Sequence, residues 1–341
     1  MNDYVMKRSE IIFLYDVKDA NPNGDPLDEN RPRIDEETGI NLVTDVRLKR
    51  TVRDYLRSYK GQEIFVTRIE LDDGSIQDGK QRADNFLQDE QFKSFNEKKK
   101  AIDERVLSTC IDIRLFGATI PVNIFLPEKG KDGKAGKKEV KGTIIHTGPV
   151  QFKMGRSMHK VFTKHFKGTG AFASEKDKTR ETFREEDFLP YSLIKFYGII
   201  NENVSSETKL TNNDVELLMD GLWNGTKNLI SRSKAGQMPR LLAKVDYINN
   251  SYHIGDLDTG IKLALSPDVS AEEEIRDIAD IYLDVDGFID TLAQHRDAVE
   301  LVHYRVDPRV KTRYKGNEQS VETCLKEGGI ASAELSLYGA E

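Results

Sequence analysis

The chain has 341 residues, of which 38% are hydrophobic and 32% are charged, and its net charge at pH 7 is −7. This length can bury a sizeable core in one large domain or two modest ones, and the sequence lacks the run of roughly 18 apolar residues that a membrane helix needs. Two cysteines are too few for a disulfide framework or a cysteine-based zinc site. With no apolar signal core in residues 1–10, we expect a cytoplasmic protein.

Charge is distributed unevenly along the chain. Residues 129–180 contain fourteen lysines and arginines against four acidic residues, whereas residues 201–300 contain nine against nineteen. A second basic cluster at residues 304–315 has five basic residues and one acidic residue. Because the charge is segregated, the chain can present a basic track to a polyanion despite its negative net charge.

The predicted elements begin with a strand at residues 10–17 and a helix at residues 44–56. Residues 21–35 lie between them and contain three prolines and alternating Asn and Asp, which predicts a loop without regular structure. Further strands are predicted at residues 62–71 and at residues 143–154, the latter interrupted at Gly148 and Pro149. A strand at residues 189–201, a helix at residues 211–230 and a strand at residues 240–249 follow.

Three polar segments interrupt this order and are predicted to be insertions. Residues 72–109 are partly helical, residues 128–142 are rich in glycine and lysine and are expected to be mobile, and residues 155–188 form a long basic loop. Strands and helices in this order are typical of an α+β fold with helices on a face of one sheet. We predict a single domain over residues 1–341 with a ferredoxin-like or RRM-like core.

The helix at residues 44–56 carries a candidate nucleic-acid contact. At about 100° per residue, its apolar face consists of Leu48, Val52, Tyr55, Leu56 and Tyr59. The adjacent face is basic, is expected to lack an acidic neighbour, and consists of Lys49, Arg50, Arg53 and Arg57. Such a stripe suits the regular charges of a nucleic-acid backbone; a merely solvated helix face is the alternative.

Two further segments add basic and hydrogen-bonding side chains. Residues 148–160 supply Gln151, Lys153, Arg156, Ser157 and Lys160. Residues 231–240 supply Arg232 and Lys234. Arginine and lysine pair with phosphate, while glutamine and serine can hydrogen-bond phosphate, ribose or base edges. Three such sets, interleaved with strands, favour an RNA-contacting track.

The sequence offers little sign of catalysis. Its six histidines show no HxxxH or HExxH spacing, and no GxSxG motif or Cys–His pair indicates a nucleophile. We therefore expect no catalytic residue, no metal and no cofactor.

Several unusual stretches together resemble the CRISPR-associated protein 7 family, which supplies the repeated backbone subunit of type I Cascade complexes. In the family's order and within residues 10–200, they are NPNGDP, NRPRID, LVTDVRLKRTVRDYL, DIRLFGA, GPVQFKMGRS and LPYSLIKFYGIIN. The sequence looks most similar to the type I-B/I-C branch.

The resemblance implies an RRM-like palm with finger and thumb insertions, so that residues 72–109 would be finger-like and residues 155–188 thumb-like. It implies a non-catalytic subunit of an antiviral surveillance complex. Its expected partners are crRNA, the target DNA strand paired to that crRNA, further copies of the same chain in a head-to-tail filament, and other Cascade subunits. No membrane is expected among them.

The resemblance also assigns residues. The family's crRNA-binding helix maps onto Lys49, Arg50 and Arg53. The base of its thumb maps onto Gln151, Arg156 and Ser157. If the prolines hold the loop at residues 21–35 in one shape, Arg31 and Arg33 can reach a phosphate or a neighbouring subunit.

Two alternatives remain. Backbone subunits of type III effectors look similar and cut target RNA with an Asp after the first strand, where Asp25 and Asp28 stand here; this alternative makes the chain a metal-dependent endoribonuclease. An Asx turn is the other explanation for Asp25 in the sequence NGDP. A protein-interaction subunit without an RNA role is the second alternative.

Overall fold

The computed structural model describes residues 4–87, 92–129, 135–169 and 183–337. The chain divides into two compact units. Unit 1 consists of Met1–Met6, Leu56–Gln151 and Asn201–Leu218, and unit 2 of Lys7–Tyr55, Phe152–Ile200 and Met219–Glu341. The organisation as one palm with three insertions stays a prediction. Within the described ranges, no helix is both long and apolar enough to cross a membrane.

The described residues form eight α-helices and eighteen strands. The helices are α1 (Asp45–Lys60), α2 (Gly79–Asp84), α3 (Phe95–Thr109), α4 (Ile111–Phe116), α5 (Glu202–Thr208), α6 (Asn212–Lys227), α7 (Asp286–Gln294) and α8 (Val321–Glu327). The strands are β1 (Ser9–Ala20), β2 (Gly24–Asp25), β3 (Arg31–Pro32), β4 (Ile34–Asp35), β5 (Ile40–Val43), β6 (Gly117–Lys129), β7 (Ala135–Thr147), β8 (Val150–Phe152), β9 (Gly155–Lys160), β10 (Lys164–Thr169), β11 (Phe183–Ile200), β12 (Met238–Tyr247), β13 (Lys262–Leu265), β14 (Ile281–Asp284), β15 (Val299–Val306), β16 (Thr312–Tyr314), β17 (Asn317–Glu318) and β18 (Ser332–Glu334). Short 3-10 turns occur at Leu257–Gly260, Glu272–Glu274 and Ile278–Asp280.

Unit 2 is built on a large sheet with the strand order β18-β15-β12-β1-β11-β9-β5-β4. The central strand β1 is antiparallel to both β11 and β12. Nine consecutive residues of β1, from Ser9 to Val17, are buried. A strand buried on both faces is hydrophobic throughout rather than alternating, and the sequence EIIFLYDV has that character.

One face of this sheet packs against the tail of the chain. Ile12 and Leu14 of β1 belong to a core that includes the inward residues of β14, α7 and α8. The helices α1 and α6 approach each other closely at Gly221, where a Cβ atom would lie 2.9 Å from the side chain of Val52. Glycine permits this approach because it has no side chain. The mixed α/β character predicted from the sequence is confirmed.

Unit 1 contains the antiparallel hairpin β6–β7, which pairs from Gly117↔Thr147 to Lys129↔Ala135. One face of the hairpin packs on α2 and α3 through a separate apolar core. Arg114 of α4 forms a buried two-bond ion pair with Asp214 of α6, with both N–O distances at 2.8 Å.

Most long elements agree with the sequence prediction, but the strand predicted at residues 62–71 is wrong. Only isolated bridges occur there, at Glu63 and Glu70. The backbone N–H groups of Phe65 and Val66 donate instead to the buried carboxylate of Asp112, at 2.8 and 3.0 Å. A side chain thus takes the place of a neighbouring strand.

The segments predicted to be irregular contain strands. The basic segment at residues 155–188 forms β9, β10 and the start of β11, and β9 alternates between buried and exposed residues as a half-buried strand does. The glycine–lysine segment at residues 128–142 contains the end of β6 and the start of β7. The loop at residues 21–35 contains the short strands β2, β3 and β4. Residues 130–134 and 170–182 of these predictions lie outside the described residues.

Candidate nucleic-acid groove

The pairing of β9 with β11 places two cations directly opposite each other. Lys195 of β11 faces Arg156 of β9 in the register of the sheet. Gly155 allows β9 to lie close to β11 here, because a Cβ atom at this position would be 2.4 Å from the ring of Phe196. Like charges opposite one another on paired strands destabilise the sheet, so this position favours an anion.

A groove of about 710 Å³ opens at this point, within unit 2. We call it the β9–β11 groove. It is lined by four cations, by one carboxylate and by several apolar or uncharged side chains. The cations are Lys153, Arg156, Lys195 and Lys262, and the carboxylate is that of Asp258. Its uncharged lining includes Met154, Met158 and Tyr197.

The cations of the groove are held in different ways. Lys153 pairs with Asp256 at 2.5 Å and lies 4.6 Å from the centre of the Tyr197 ring. This lysine lowers the pKa of the exposed Asp256 carboxyl. Lys195 donates to the carbonyl oxygens of Asp258 and Ile261, and its burial lowers the pKa of its ammonium group. Lys195 thus joins β11 to the turn at Leu257–Gly260.

Asp258 supplies an acceptor inside this positive groove. Its Oδ1 atom is buried and has no hydrogen-bond partner among the described residues. A buried polar atom normally has a partner, so this oxygen has unused capacity to accept a hydrogen bond.

Three of the residues proposed from the sequence line the β9–β11 groove: Lys153, Arg156 and Ser157. The hydroxyl of Ser157 is engaged within the protein, since it accepts from the N–H of Asn41 at 2.9 Å and donates to the carbonyl of His159 at 2.7 Å. Lys160 is exposed at the end of β9. Gln151 lies in unit 1, where its amide donates to the carbonyl of Gly148 at 2.8 Å.

Sequence reasoning missed Lys195, Asp258 and Lys262. Lys195 stands in the apolar stretch LPYSLIKFYGIIN, which indicates a core strand. The lysine inside this apolar stretch could have marked a functional position, because lysine is seldom buried without an interaction partner. Asp258 and Lys262 lie in the tail of the chain, where no local pattern marks them.

The basic stripe of α1 differs from its prediction. Lys49 pairs with Asp45 at 3.0 Å and Arg50 with Asp54 at 3.5 Å, so the expectation of no acidic neighbour is wrong. Each carboxylate stands one helical turn away, the spacing at which helix side chains meet. Tyr59, predicted on the apolar face, is 58% exposed.

Lys234 and Arg47 of α1 form a second pair of positive charges. Lys234 donates to the carbonyl of Asn21 at 2.7 Å, and burial together with the charge of Arg47 lowers its pKa to about 8. Burial also lowers the pKa of Arg47, which donates to the hydroxyl of Thr51 at 3.1 Å. The sequence analysis proposed Lys234 but not Arg47.

The arginines of the proline-rich loop pair with carboxylates nearby. Arg33 pairs with Asp25 at 3.0 Å, and Arg31 with Glu29 at 3.1 Å and with Asp187 at 3.5 Å. In the same unit, Arg232 pairs with Glu186 at 2.7 Å.

The carboxylate of Asp25 has a structural role in this loop. Its Oδ1 atom accepts from the N–H of Leu27 at 3.0 Å, which is an Asx turn, while Oδ2 pairs with Arg33. Among the residues that the structure describes, no group of three or more His, Cys, Asp or Glu side chains is placed to hold a metal ion.

Comparison with known proteins identifies the family. The family model described as CRISPR-associated protein Cas7 matches residues 7–286. A CRISPR-associated protein Cas7 from Haloferax volcanii is 32% identical over 312 residues, which covers 90% of this chain and 88% of that protein. Two chains from structures titled CRISPR RNA-guided surveillance complex, one of them pre-nicking, are 14% and 11% identical, with TM-scores of 0.46 and 0.48. Each alignment covers 94% of this chain, and 97% and 99% of the other. Since the family model spans most of its length, the chain belongs to the CRISPR-associated protein Cas7 family.

Proposed function

We propose that the chain is a non-catalytic backbone subunit of a type I Cascade complex and holds one strand of crRNA in the β9–β11 groove. The observation that carries this proposal is the direct opposition of Arg156 and Lys195. Arg156 pairs with Asp35 of β4 at 3.5 Å, and Lys195 donates to the backbone carbonyls of Asp258 and Ile261. A phosphate between the two cations would turn their repulsion into attraction.

The other groups of the groove suit an RNA strand. Lys153 and Lys262 extend the positive charge beyond the opposed pair. Tyr197 and the two methionines offer apolar surface on which a ribose or base can pack. The carboxylate of Asp258, which lines the groove, can accept from a 2′-hydroxyl, the donor that distinguishes RNA from DNA.

Strand order supports an RRM-like palm. The strands β12, β1, β11 and β9 are neighbours and pair antiparallel. In chain order, α1 follows β1 and α6 lies between β11 and β12. A β-α-β-β-α-β connection of this kind is that of the ferredoxin-like and RRM folds.

Self-assembly along the guide would use the acidic side of unit 2. A pocket there is lined by several carboxylates, including those of Asp19, Glu29 and Glu185. Such a surface fits a basic segment of the next copy, and repeated contacts between unlike surfaces generate an open filament. In this arrangement the bases of the guide pair with target DNA, and the protein contributes to antiviral defence with the other Cascade subunits.

Co-expression with a CRISPR array tests the proposal. Purified protein should carry spacer-derived RNA, and its affinity for RNA should fall with salt at a log–log slope of about −0.7 for each phosphate contact. Protein that carries no such RNA, with affinity insensitive to salt, would instead favour a protein-interaction subunit.

A further inference from the structure

The small sheet β13-β14-β16-β17 in the tail of the chain has two unlike faces. Ile281, Leu283 and Tyr314 point to one face and belong to the core of unit 2. Residues that are paired in register share a face: Lys262 is opposite Asp284, and Asp284 is opposite Arg313. Tyr282 stands two residues before Asp284 on β14, and Lys311 stands two residues before Arg313, next to the start of β16. With Lys262, Asp284 and Arg313 they form the outer face.

The outer face combines cations with an aromatic ring. The guanidinium of Arg313 lies 3.4 Å from the centre of the Tyr282 ring, and the ammonium of Lys311 lies 5.4 Å from it. Asp284 and Glu318 are the acidic residues on this face, since both are opposite Arg313 in register. The carboxylate of Asp284 accepts from the N–H of Asp286 at 3.0 Å. We name the four residues Lys262, Tyr282, Lys311 and Arg313 the Tyr282 platform.

Arg313 is placed to present a flat surface. One side of its guanidinium rests on Tyr282, so the opposite side faces away from the ring. Bases of single-stranded nucleic acids stack on arginine planes as well as on aromatic rings. Lysines at the edges of such a surface can pair with the flanking phosphates.

The platform and the β9–β11 groove share Lys262, which lines the groove and also begins β13. We propose that the Tyr282 platform is a second binding surface for single-stranded RNA, on which a base stacks against Arg313 after the strand leaves the groove. This inference rests on the proposed function. It gives a role to Lys311 and Arg313 of the basic cluster at residues 304–315, neither of which lines the groove.

The test measures affinity for RNA oligonucleotides lengthened one nucleotide at a time. The variants are Arg313→Leu, which keeps Tyr282 covered but removes the charge and the plane, and Lys311→Gln. Arg309→Gln is the matched control, since Arg309 stands on the same segment and its Nε and Nη2 atoms donate to the two carboxylate oxygens of Asp307.

We expect unchanged affinity for the shortest oligonucleotides and a loss of about five- to tenfold for longer ones in both variants, with no loss in the control. Equal affinities of wild type and both variants for RNA at every length overturn the inference. If the wild-type protein itself does not bind RNA, that result refutes the proposed function, on which this inference rests. An unfolding curve for Arg313→Leu that matches wild type shows that the loss reflects binding.

Discussion

Replacement of Arg156 by glutamine tests the opposed cations of the β9–β11 groove. Glutamine keeps a polar side chain on the exposed face of β9 but removes the positive charge. If a phosphate lies between Arg156 and Lys195, the variant loses one charge-assisted hydrogen bond.

The size of the effect follows from the contacts. A hydrogen bond to a charged group contributes about 1.5–3 kcal/mol, so RNA affinity should fall by about tenfold or more. The log–log slope of affinity against salt concentration should become shallower by about 0.7, because the variant makes one fewer phosphate contact and binding therefore releases fewer counterions. Folding should change little, since the side chain is 58% exposed and its ion pair with Asp35 is long.

The assay is a salt titration of RNA binding by fluorescence anisotropy, with Arg309→Gln as control. The two arginines are matched, because the side chain of Arg309 is 56% exposed and also pairs with an aspartate. A fall in affinity that is equal in both variants, or an unchanged slope for Arg156→Gln, would refute a phosphate at this position.

Further predictions concern Lys234, Asp214 and Asp25. Lys234 was predicted from the sequence to contact RNA, and burial lowers its pKa to about 8. If a phosphate binds there it favours the charged form, so RNA affinity should weaken as pH rises from 7 to 9, and Lys234→Met should show a flatter profile. The unfolded chain, in which lysine has a pKa of about 10.4, binds more protons than the folded chain between about pH 8 and 10, so this group makes folding more favourable as pH rises there; the methionine variant should lack that rise in denaturant unfolding. Asp214→Ala should destabilise the protein by about 3–5 kcal/mol in urea unfolding, because it leaves the buried Arg114 charge unpaired; a change below about 1 kcal/mol would contradict a structural ion pair. Assembled protein given complementary RNA and magnesium should leave that RNA intact, and a regular ladder that disappears in Asp25→Ala would establish the endoribonuclease alternative.

The sequence predicts the long elements well where one local signal decides the structure. The apolar run around Phe13 and the 3.6-residue period of α1 and α6 needed no distant partner to be recognised. The prediction of a strand failed at residues 62–71, because the N–H groups of Phe65 and Val66 donate to Asp112, which lies 47 and 46 positions away in the sequence. It also failed where strands are polar, as in β10, since charged residues on an exposed strand look like a loop.

The candidate site was predicted only in part, because some of its residues carry a local signal and others reach the groove through distant contacts. Arg156 and Lys153 follow a distinctive segment and were found, whereas their partners Lys195 and Asp258 reach the groove only through strand register and a distant turn. Ser157 was identified from its type, but its hydroxyl joins β9 to Asn41 within the fold. Spacing along the chain carries no information about either arrangement.

Photo-crosslinking of the purified protein–guide complex, with the linked peptides identified by mass spectrometry, tests the central claim most directly. The account predicts crosslinks from RNA to residues 153–158, to Lys195 or Tyr197, and to residues 258–263, which together line the β9–β11 groove. Crosslinks confined to other segments, such as the β6–β7 hairpin, would contradict the claim that this groove holds the guide.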